Sequence, residues 1–336
     1  MTVRKLLRRN EFYVLLTILA MSILIQYTSG MFFSGNNIVN ILSASIVPGL
    51  LSLSIMVVLI SGGIDVSFPA IASLAMYITT EFLLTQGFTG SVFWAFAMSG
   101  TIGLLLGCIN GLIVCWLKVS PFIITLGTSS VFIGVLLGVL NSREINQLPQ
   151  SMHDFGVSAI FVARHPETGM TSNLNPSILI LIGFALILFF VLRYTMLGRS
   201  IYAVGGDEVA AQRAGFNINR TKLFVFAISG LIAGIAGITR VSMMRFLVPT
   251  NLLGIELITI AAVVLGGVSI TGGEGTVKGA LLGMLLITIV QNSMILIGIP
   301  TYWQSFFTGL FILIGIGVSS YQTLRSKQKL VSKFET

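Results

Sequence analysis

The sequence predicts an all-α, polytopic integral membrane protein with about ten transmembrane helices, on three observations. Only 9% of the 336 residues are charged and 55% are hydrophobic, whereas a soluble domain carries about 25% charged residues. The mean hydropathy is +0.98. The apolar residues also form continuous runs without a two-residue alternation, which favours helices over a lipid-facing β-barrel.

Ten apolar runs are candidate spans, because a bilayer core about 30 Å thick needs about 20 apolar residues per helix. The first run follows a cluster of basic residues, as the core of a signal peptide does. However, it is long, lacks a small-residue cleavage site and leads directly into the next run, so we interpret it as a retained helix. The predicted spans are 12–33, 38–60, 65–85, 91–117, 121–140, 176–194, 222–245, 255–270, 276–298 and 301–320.

The basic residues predict that both termini are cytoplasmic. Lys and Arg concentrate on the cytoplasmic side of membrane proteins, and an inside N-terminus with ten spans places 15 of the 19 basic residues on that side. The predicted regions are a basic cytoplasmic N-terminus at 1–11, a transmembrane domain at 12–320 and a basic cytoplasmic tail at 321–336. The transmembrane domain contains an outer loop at about 141–175 and a cytoplasmic loop at about 195–221.

The net charge of +8 is explained by these cytoplasmic flanks, which would meet anionic membrane lipid. A nucleic-acid partner is not predicted, because no basic patch is interleaved with aromatic residues.

Glycine is abundant, with 36 residues, and many of them recur at a spacing of four. This spacing puts a strip without side chains on one helix face, along which another backbone can approach closely. The sequence therefore predicts a compact bundle. The strips are Gly103, Gly107 and Gly111; Gly134 and Gly138; Gly230 and Gly234; and Gly275, Gly279 and Gly283.

Residues for catalysis or metal binding are scarce. The only histidines, His153 and His165, lie in the outer loop without a Cys or carboxylate cluster, so no metal site is predicted. No Gly-x-Ser-x-Gly motif occurs, and the glycine-rich segment 272–279 lacks the flanking residues that the lysine of a phosphate-binding loop needs. We therefore expect no enzyme activity, no cofactor and no ATP site in this chain.

The first of three unusual segments is Gly62-Gly63-Ile64-Asp65-Val66-Ser67, between the second and third spans. Paired glycines break a helix, and Asp65 or Ser67 is suited to cap the next one. Two interpretations stay open. The segment is either a tight inner turn or a discontinuous helix beside a translocation path, where an acidic residue is costly unless it is used or paired.

The second segment, from Leu265 to Gly275, also breaks an apolar run with paired glycines. Its recurrence in the second half of the chain favours two related halves, a common plan in transporters.

The third segment, at 205–215, lies in the predicted cytoplasmic loop. Gly206 or Asp207 can begin a helix there, and Gly215 can end it. The face made by its alanines would bury little area in lipid, so a groove on a partner protein suits this helix better than the membrane surface.

In this order and at these places, the three segments resemble those of the permease subunits of bacterial ABC importers for ribose, other monosaccharides and autoinducer-2. The resemblance covers about residues 10–325. Branched-chain amino acid permeases share the general plan, but the Gly-Gly-Ile-Asp-x-Ser signature points to the sugar branch. Two positions depart from the family. Asp207 stands where Asn is common in the family, and either residue can cap a helix. Phe68-Pro69 stands where the family usually has a pair of small residues that includes Gly, so we do not transfer the identity of the substrate.

The resemblance implies that this chain is the permease of an ATP-driven importer in the bacterial inner membrane. It implies three protein partners: a second permease subunit, identical or paralogous, a cytoplasmic ATPase on a separate chain, and an extracytoplasmic binding protein that delivers a sugar or sugar-like molecule. The residues that it assigns to ATPase coupling are Gly206, Asp207, Glu208, Ala210, Ala211 and Gly215.

The polar residues inside the spans are candidates for the lining of a translocation path, although a hydrogen bond between helices would also explain each of them. An alternative function is a stand-alone, ion-coupled secondary transporter, which would need carboxylates in the membrane; Asp65 and Glu256 are the available ones. An intramembrane enzyme would need a catalytic constellation that the sequence lacks. The path candidates are Asp65, Asn110, Thr128, Ser129, Gln291 and Asn292.

Overall fold

The computed structural model describes residues 10–164, 169, 171–310, 313 and 317. The basic N-terminal residues up to 9, the predicted tail at 321–336 and His165 lie outside the described residues.

Helices dominate the described part of the chain, and eight of them are long and apolar enough to cross a bilayer. This confirms a polytopic, helical membrane fold. The α-helices are α1 Asn10–Ser29, α2 Gly35–Ile60, α3 Phe68–Thr85, α4 Phe93–Leu117, α5 Pro121–Gly134, α6 Gln150–Val157, α7 Ser177–Tyr194, α8 Met196–Gly206, α9 Glu208–Arg213, α10 Ile218–Met244, α11 Glu256–Leu265 and α12 Val277–Leu296. The eight that can cross are α1, α2, α3, α4, α5 with its π-helical continuation Val135–Val139, α7, α10 and α12.

Two of the ten predicted spans are not among these eight. The predicted span 255–270 is the short helix α11, which has 10 residues and is therefore only about 15 Å long at 1.5 Å per residue. It stops because two glycines follow it, and the second, Gly267, has φ +95°, a conformation that other residues avoid. The predicted span 301–320 is described only to residue 310, apart from 313 and 317. The count of ten stays a prediction.

Helix α2 forms the centre of the bundle. Every residue from Leu50 to Ile60 is buried, because α2 contacts α3, α7, α10, α11 and α12. A helix that is surrounded in this way is expected to be apolar on all sides. By contrast, only 22% of the apolar window of α1 and of α7 is buried, so these two helices lie at the periphery.

The predicted outer loop at 141–175 contains structure of its own. Helix α6 is followed by an antiparallel hairpin of two strands, β1 Phe161–Arg164 and β2 Thr171–Leu174. The hydroxyl of Ser43 donates to the carbonyl of Asn173 at 3.1 Å, which holds the hairpin against the N-terminal half of α2. The all-helical prediction did not include these strands.

The loops collect at two opposite ends of the bundle. Ile60, Gly205 and Gly273 lie together at one end, which we call the α9 end. At the other end, Ile145 pairs with Leu247 in a β-bridge. This arrangement agrees with the predicted alternation of inner and outer loops, and the side that faces the cytoplasm stays a prediction.

Candidate coupling site and buried polar cluster

Helix α9 is short and is capped at both ends by its own sequence. Asp207 has an extended backbone, and its Oδ1 accepts hydrogen bonds from the amides of Val209 at 2.8 Å and Ala210 at 3.0 Å. These bonds satisfy amides that a helix start leaves free, so Asp207 is the N-cap. Gly215, with φ +88°, lets the chain turn away after the last turn. Gly206 is the last residue of α8.

The alanines of α9 point to different sides. Ala211 is only 3% exposed and faces the protein, whereas Ala210 is exposed. Glu208 forms an ion pair with Lys222 of α10, which also holds α9 against the bundle. The surface that α9 offers to another molecule therefore excludes Ala211. It consists of the exposed residues Val209, Ala210, Gln212 and Arg213.

A groove of about 730 Å³ opens beside α9. It lies between α9 and the loop that joins α4 to α5, and Lys118, Pro121, Gln212 and Lys222 are among the residues that line it. The lining includes both signs of charge, since Glu208 pairs with Lys222 at its edge. A molecule that docks on α9 would therefore meet the α4–α5 loop as well.

The three unusual segments of the sequence meet at the α9 end. The amide of Gly273 donates to the carbonyl of Ile60 at 2.9 Å. Gly205 lies against both, because a Cβ at 205 would overlap the Ile60 carbonyl oxygen and stand 2.7 Å from the Gly273 nitrogen. A Cβ on Gly272 would stand 2.6 Å from the Cα of Gly62. We call this backbone contact of residues 60–62, 205–206 and 272–273 the glycine junction.

Two side chains brace the segment that follows the glycine junction. The hydroxyl of Tyr202, one turn before Gly205, donates to the carbonyl of Gly275 at 2.7 Å. A tyrosine hydroxyl keeps its proton at neutral pH because its ordinary pKa is about 10, and burial raises the pKa of Tyr202 further. Thr276, the N-cap of α12, donates its hydroxyl hydrogen to Glu11 of α1. Helices α1, α8 and α12 are thereby tied together.

Segment 61–67 is not helical, and its second half forms a buried polar cluster. Asp65 is 1% exposed, and its Oδ1 accepts hydrogen bonds from the amide of Ser67 at 2.7 Å and from its hydroxyl at 2.6 Å. The Nδ2 of Asn110 on α4 donates to the Ser67 hydroxyl at 2.7 Å. The Thr125 hydroxyl on α5 accepts from the backbone amide of Val66 at 3.2 Å. The segment is therefore pinned to α4 and α5, and the third span begins after it.

One atom of this cluster has no partner. Asn110 is 0% exposed, and its Oδ1 makes no hydrogen bond within the described part of the chain. A buried acceptor without a partner costs about 1–3 kcal/mol, so such atoms are rare and call for an explanation. The cluster thus presents a free acceptor in the interior of the bundle.

Comparison with known proteins shows what kind of chain carries this geometry. Residues 37–315 match the family described as the permease component of the branched-chain amino acid transport system. The chain belongs to this family.

The relatives of this permease include ribose and autoinducer-2 proteins. It is 32% identical to the ribose import permease protein of Haemophilus influenzae over 318 residues, which cover 95% of this chain and 94% of the relative. It is 30% identical to the ribose import permease protein of Escherichia coli K12 over 307 residues, or 91% of this chain and 92% of the relative. It is also 30% identical to the autoinducer 2 import system permease protein of Yersinia pseudotuberculosis over 313 residues, or 93% and 85%.

No solved structure matches the chain. The family match and these relatives confirm the resemblance that the three segments indicated. Together with the eight apolar helices, they identify a multi-pass permease of the inner membrane.

Two predicted path residues of the permease lie near the polar cluster. Thr128 and Ser129 follow Thr125 by one turn of α5, and the Thr128 hydroxyl donates to the Thr125 carbonyl at 3.3 Å. Ser129 is buried, whereas Thr128 is half-buried. They extend the line of polar groups along α5.

The other two candidates lie elsewhere. Gln291 and Asn292 are near the C-terminal end of α12, where the Nδ2 of Asn292 lies 3.5 Å from the Oδ1 of Asn37 on α2. Asn37 is in the first turn of α2, at the end opposite α9. The structure therefore brings Asp65 and Asn110 together and separates both from Gln291 and Asn292.

Three residues of these sites were not predicted as site residues. Ser67 lies two positions after an aspartate, a spacing at which side chains commonly bond to the backbone. Thr125 precedes Thr128 by about one helical turn, so the two lie on the same face of α5, and Thr125 could have been predicted from that spacing. The pair Gly205-Gly206 indicated that another part of the chain could approach closely there, but the sequence did not indicate which segments do so.

The described residues offer no obvious metal ligands. In the part of the chain that the structure covers, no three His, Cys, Asp or Glu side chains are grouped to hold an ion. The Nδ1 of His153 lies 3.7 Å from the Oδ1 of its neighbour Asp154, and both side chains are exposed.

Proposed function

We propose that this chain is the membrane-spanning permease subunit of an ATP-driven ABC importer that translocates a sugar or sugar-like small molecule. In this proposal an extracytoplasmic binding protein delivers the solute, a cytoplasmic ATPase on a separate chain hydrolyses ATP, and a second permease subunit, identical or paralogous, completes the path. The observation that carries the proposal is α9, a short capped helix with one exposed side, in a chain whose relatives are import permeases.

Helix α9 has the properties that a docking element needs. Its exposed side carries only two apolar residues, Val209 and Ala210, beside Gln212 and Arg213. It would therefore gain little from lipid and can fit a cleft on the ATPase. Its other side is fixed, because Ala211 is buried and Glu208 pairs with Lys222. A displacement of α9 would therefore also move α10. The end of the bundle that carries α9 is then the cytoplasmic end.

The transport cycle follows from this attachment. ATP binding would close the ATPase dimer, move α9 and shift the permease pair between outward-open and inward-open states. Each ligand can shift that equilibrium only by its differential affinity for the two states. The path needs only weak contacts with the solute, because the binding protein supplies specificity. Asp65, Asn110, Thr128 and Ser129 would serve its inner part, and the pair Gln291 and Asn292 its outer part.

The docking role of α9 is tested by adding bulk to its exposed side. Ala210→Trp places a large ring on that side without entering the bundle, whereas a substitution at the buried Ala211 would disturb the fold itself. We expect the ABC ATPase from the same source to be retained about tenfold less on the affinity-purified permease, because the loss of about 1.4 kcal/mol at an interface contact lowers the binding constant tenfold.

The matched control is Leu186→Trp, which adds the same ring on α7, where Leu186 is 62% exposed. We expect this control to retain the ATPase fully. Both variants should insert and purify as monodisperse permease. Normal retention of the ATPase by Ala210→Trp would refute the docking role.

Ion-coupled secondary transport is a second candidate, and one observation favours it. Asp65 is the one buried carboxylate among the residues that the structure describes, and ion-coupled transporters use such groups. However, both of its known hydrogen bonds hold Ser67 in place, which gives it a structural role. Uptake into vesicles decides between the two candidates: uptake that needs ATP and ignores ionophores supports the importer, and uptake that ionophores abolish supports the alternative.

A further inference from the structure

The glycine junction is a contact of backbone with backbone. At Gly205 there is no room for even one carbon atom, because a Cβ would overlap the Ile60 carbonyl oxygen. The Gly273 amide is hydrogen-bonded to the same carbonyl at 2.9 Å. Side chains can change rotamer to absorb a small displacement, but packed backbones cannot, and such contacts transmit displacement.

Each segment of the glycine junction leads to a different working part of the permease. Gly205 and Gly206 end α8 and are followed at once by Asp207, the cap of α9. The turn at Gly62 is followed, three residues later, by Asp65 and the buried polar cluster. The segment at 272–273 leads to Thr276 and into α12. The three segments that lead to these parts are far apart in the sequence and touch at the glycine junction.

We propose that Gly205 is a positioning residue, through which a displacement of α9 moves the Asp65 turn and the start of α12 together. This inference rests on the proposed function and adds the internal route by which α9 acts. The route passes from α9 to Gly205, then through the Ile60 carbonyl to segment 61–67 and through Gly273 to α12. Ser67 lies at the end of the first branch, so the route reaches its hydrogen bond with Asn110.

The route is first tested in the isolated permease by amide hydrogen exchange. Gly205→Ala forces a Cβ against Ile60 and Gly273, and we expect exchange in peptides covering 58–68 and 268–278 to accelerate about tenfold or more, since overpacked sites open more often. Gly206→Ala is the matched control for exchange, because its Cβ would meet no atom of the described residues within 4 Å. Exchange that accelerates only around 200–207 would contradict the proposal.

Tyr202→Phe is a milder variant in case Gly205→Ala does not fold. It removes the hydrogen bond to Gly275 and keeps the ring in place. We expect exchange in the 268–278 peptide to rise about 2- to 10-fold, which is the loss of one hydrogen bond expressed as an opening equilibrium. An unchanged rate in that peptide would contradict the bracing of the second branch.

Transport with the ATPase and binding protein from the same source separates this inference from the proposed function. Tyr202→Phe should retain the ATPase on the permease and hydrolyse ATP, but import fewer solute molecules per ATP. Unchanged import per ATP would refute the positioning role while the proposed function stands. Failure of the wild-type permease to retain the ATPase would refute the proposed function, and the exchange result would still report on the route.

Discussion

Helices α4 and α5 are neighbours in the sequence and both carry spaced glycines, yet they use them differently. On α4, a Cβ at Gly107 would overlap the carbonyl oxygen of Phe226 and lie 3.1 Å from the Cα of Gly230, so α4 and α10 touch backbone to backbone. On α5 and its π-helical continuation, a Cβ at Gly134 or Gly138 of the predicted strip, or at Gly127 before it, would meet no described atom within 4 Å. The α4 strip is an internal interface, and the α5 strip is an open surface of this chain.

The difference lies in the partner helix. Helix α10 packs against the glycines of α4 with glycines of its own, since a Cβ at Gly230 would overlap the Gly103 carbonyl oxygen. The interface is also hydrogen-bonded, because the Ser99 hydroxyl donates to the Gly234 carbonyl at 2.7 Å. Helix α5 contacts the bundle instead through Thr125. A glycine strip permits close approach, but a second small-residue face and matching polar groups are needed to use it.

The largest effect is expected at the α4–α10 interface. Gly107→Ala should lower the free energy of unfolding by about 3 kcal/mol, because the two backbones must separate to admit the methyl group. The measurement is unfolding by SDS titration in mixed micelles, followed by circular dichroism. A loss below about 1 kcal/mol, the low end of overpacking effects, would show that the two helices are not in backbone contact.

A smaller effect is expected where α5 is attached. Thr125→Val removes the acceptor for the buried amide of Val66 and should lower the free energy of unfolding by about 2 kcal/mol, because that amide is left without a partner. Thr128→Val is the control, since the Thr128 hydroxyl bonds only to the carbonyl one turn earlier in the described contacts. Equal effects of the two substitutions in the same titration would mean that Thr125 does not hold segment 61–67.

Next in size is the hydrogen bond that crosses the α4–α10 interface. Ser99→Ala removes the bond to Gly234 and should lower the free energy of unfolding by about 0.6–1 kcal/mol, as hydrogen bonds between helices in membranes do. The paired control is Ser130→Ala on α5, where the Ser130 hydroxyl bonds to the Leu126 carbonyl of its own helix. If Ser130→Ala were the more damaging change, the two helices would have been assigned the wrong roles.

The smallest expected effect is a stabilisation, whereas the three substitutions above destabilise the protein. Gly127→Ala on α5 adds a methyl group in open space and should raise the free energy of unfolding by about 0.5–1 kcal/mol, because Ala favours the helix over Gly. The opposite signs of Gly107→Ala and Gly127→Ala form the sharpest test of the comparison. A destabilised Gly127→Ala permease in monomeric form would show that this face of α5 is packed within the chain.

Much of the fold could be predicted from the sequence because the membrane imposes a strong rule. A span needs about 20 apolar residues, and eight of the ten predicted spans correspond to helices long enough to cross. The eighth predicted span is the 10-residue helix α11 in the structure, because hydropathy does not register the backbone break at Gly266 and Gly267. The hairpin in the outer loop was missed because its strands are only four residues long.

The candidate sites were predicted less evenly. Asp207 and Gly215 were recognisable because capping depends on residues close in the sequence. The inward orientation of Ala211 was not recognisable, because two adjacent alanines on a short helix carry no sign of which one faces the protein. Likewise, Asp65 and Asn110 were candidates as isolated polar residues, and only the fold joined them through Ser67.

By itself, the sequence determined that this chain is helical and crosses the membrane several times, where eight of its spans lie, and which short segments interrupt them. These are local properties, set by apolar length, glycine and capping residues over a few turns. The tertiary structure alone decided that the three segments meet at Gly205. It also decided that the α4 glycines pack against α10, whereas the α5 glycines pack against none of the described residues. Contacts of this kind join backbone groups that are far apart in the sequence, such as those of Ile60 and Gly273. Every residue has the same backbone atoms, so the sequence does not indicate which backbone groups will meet.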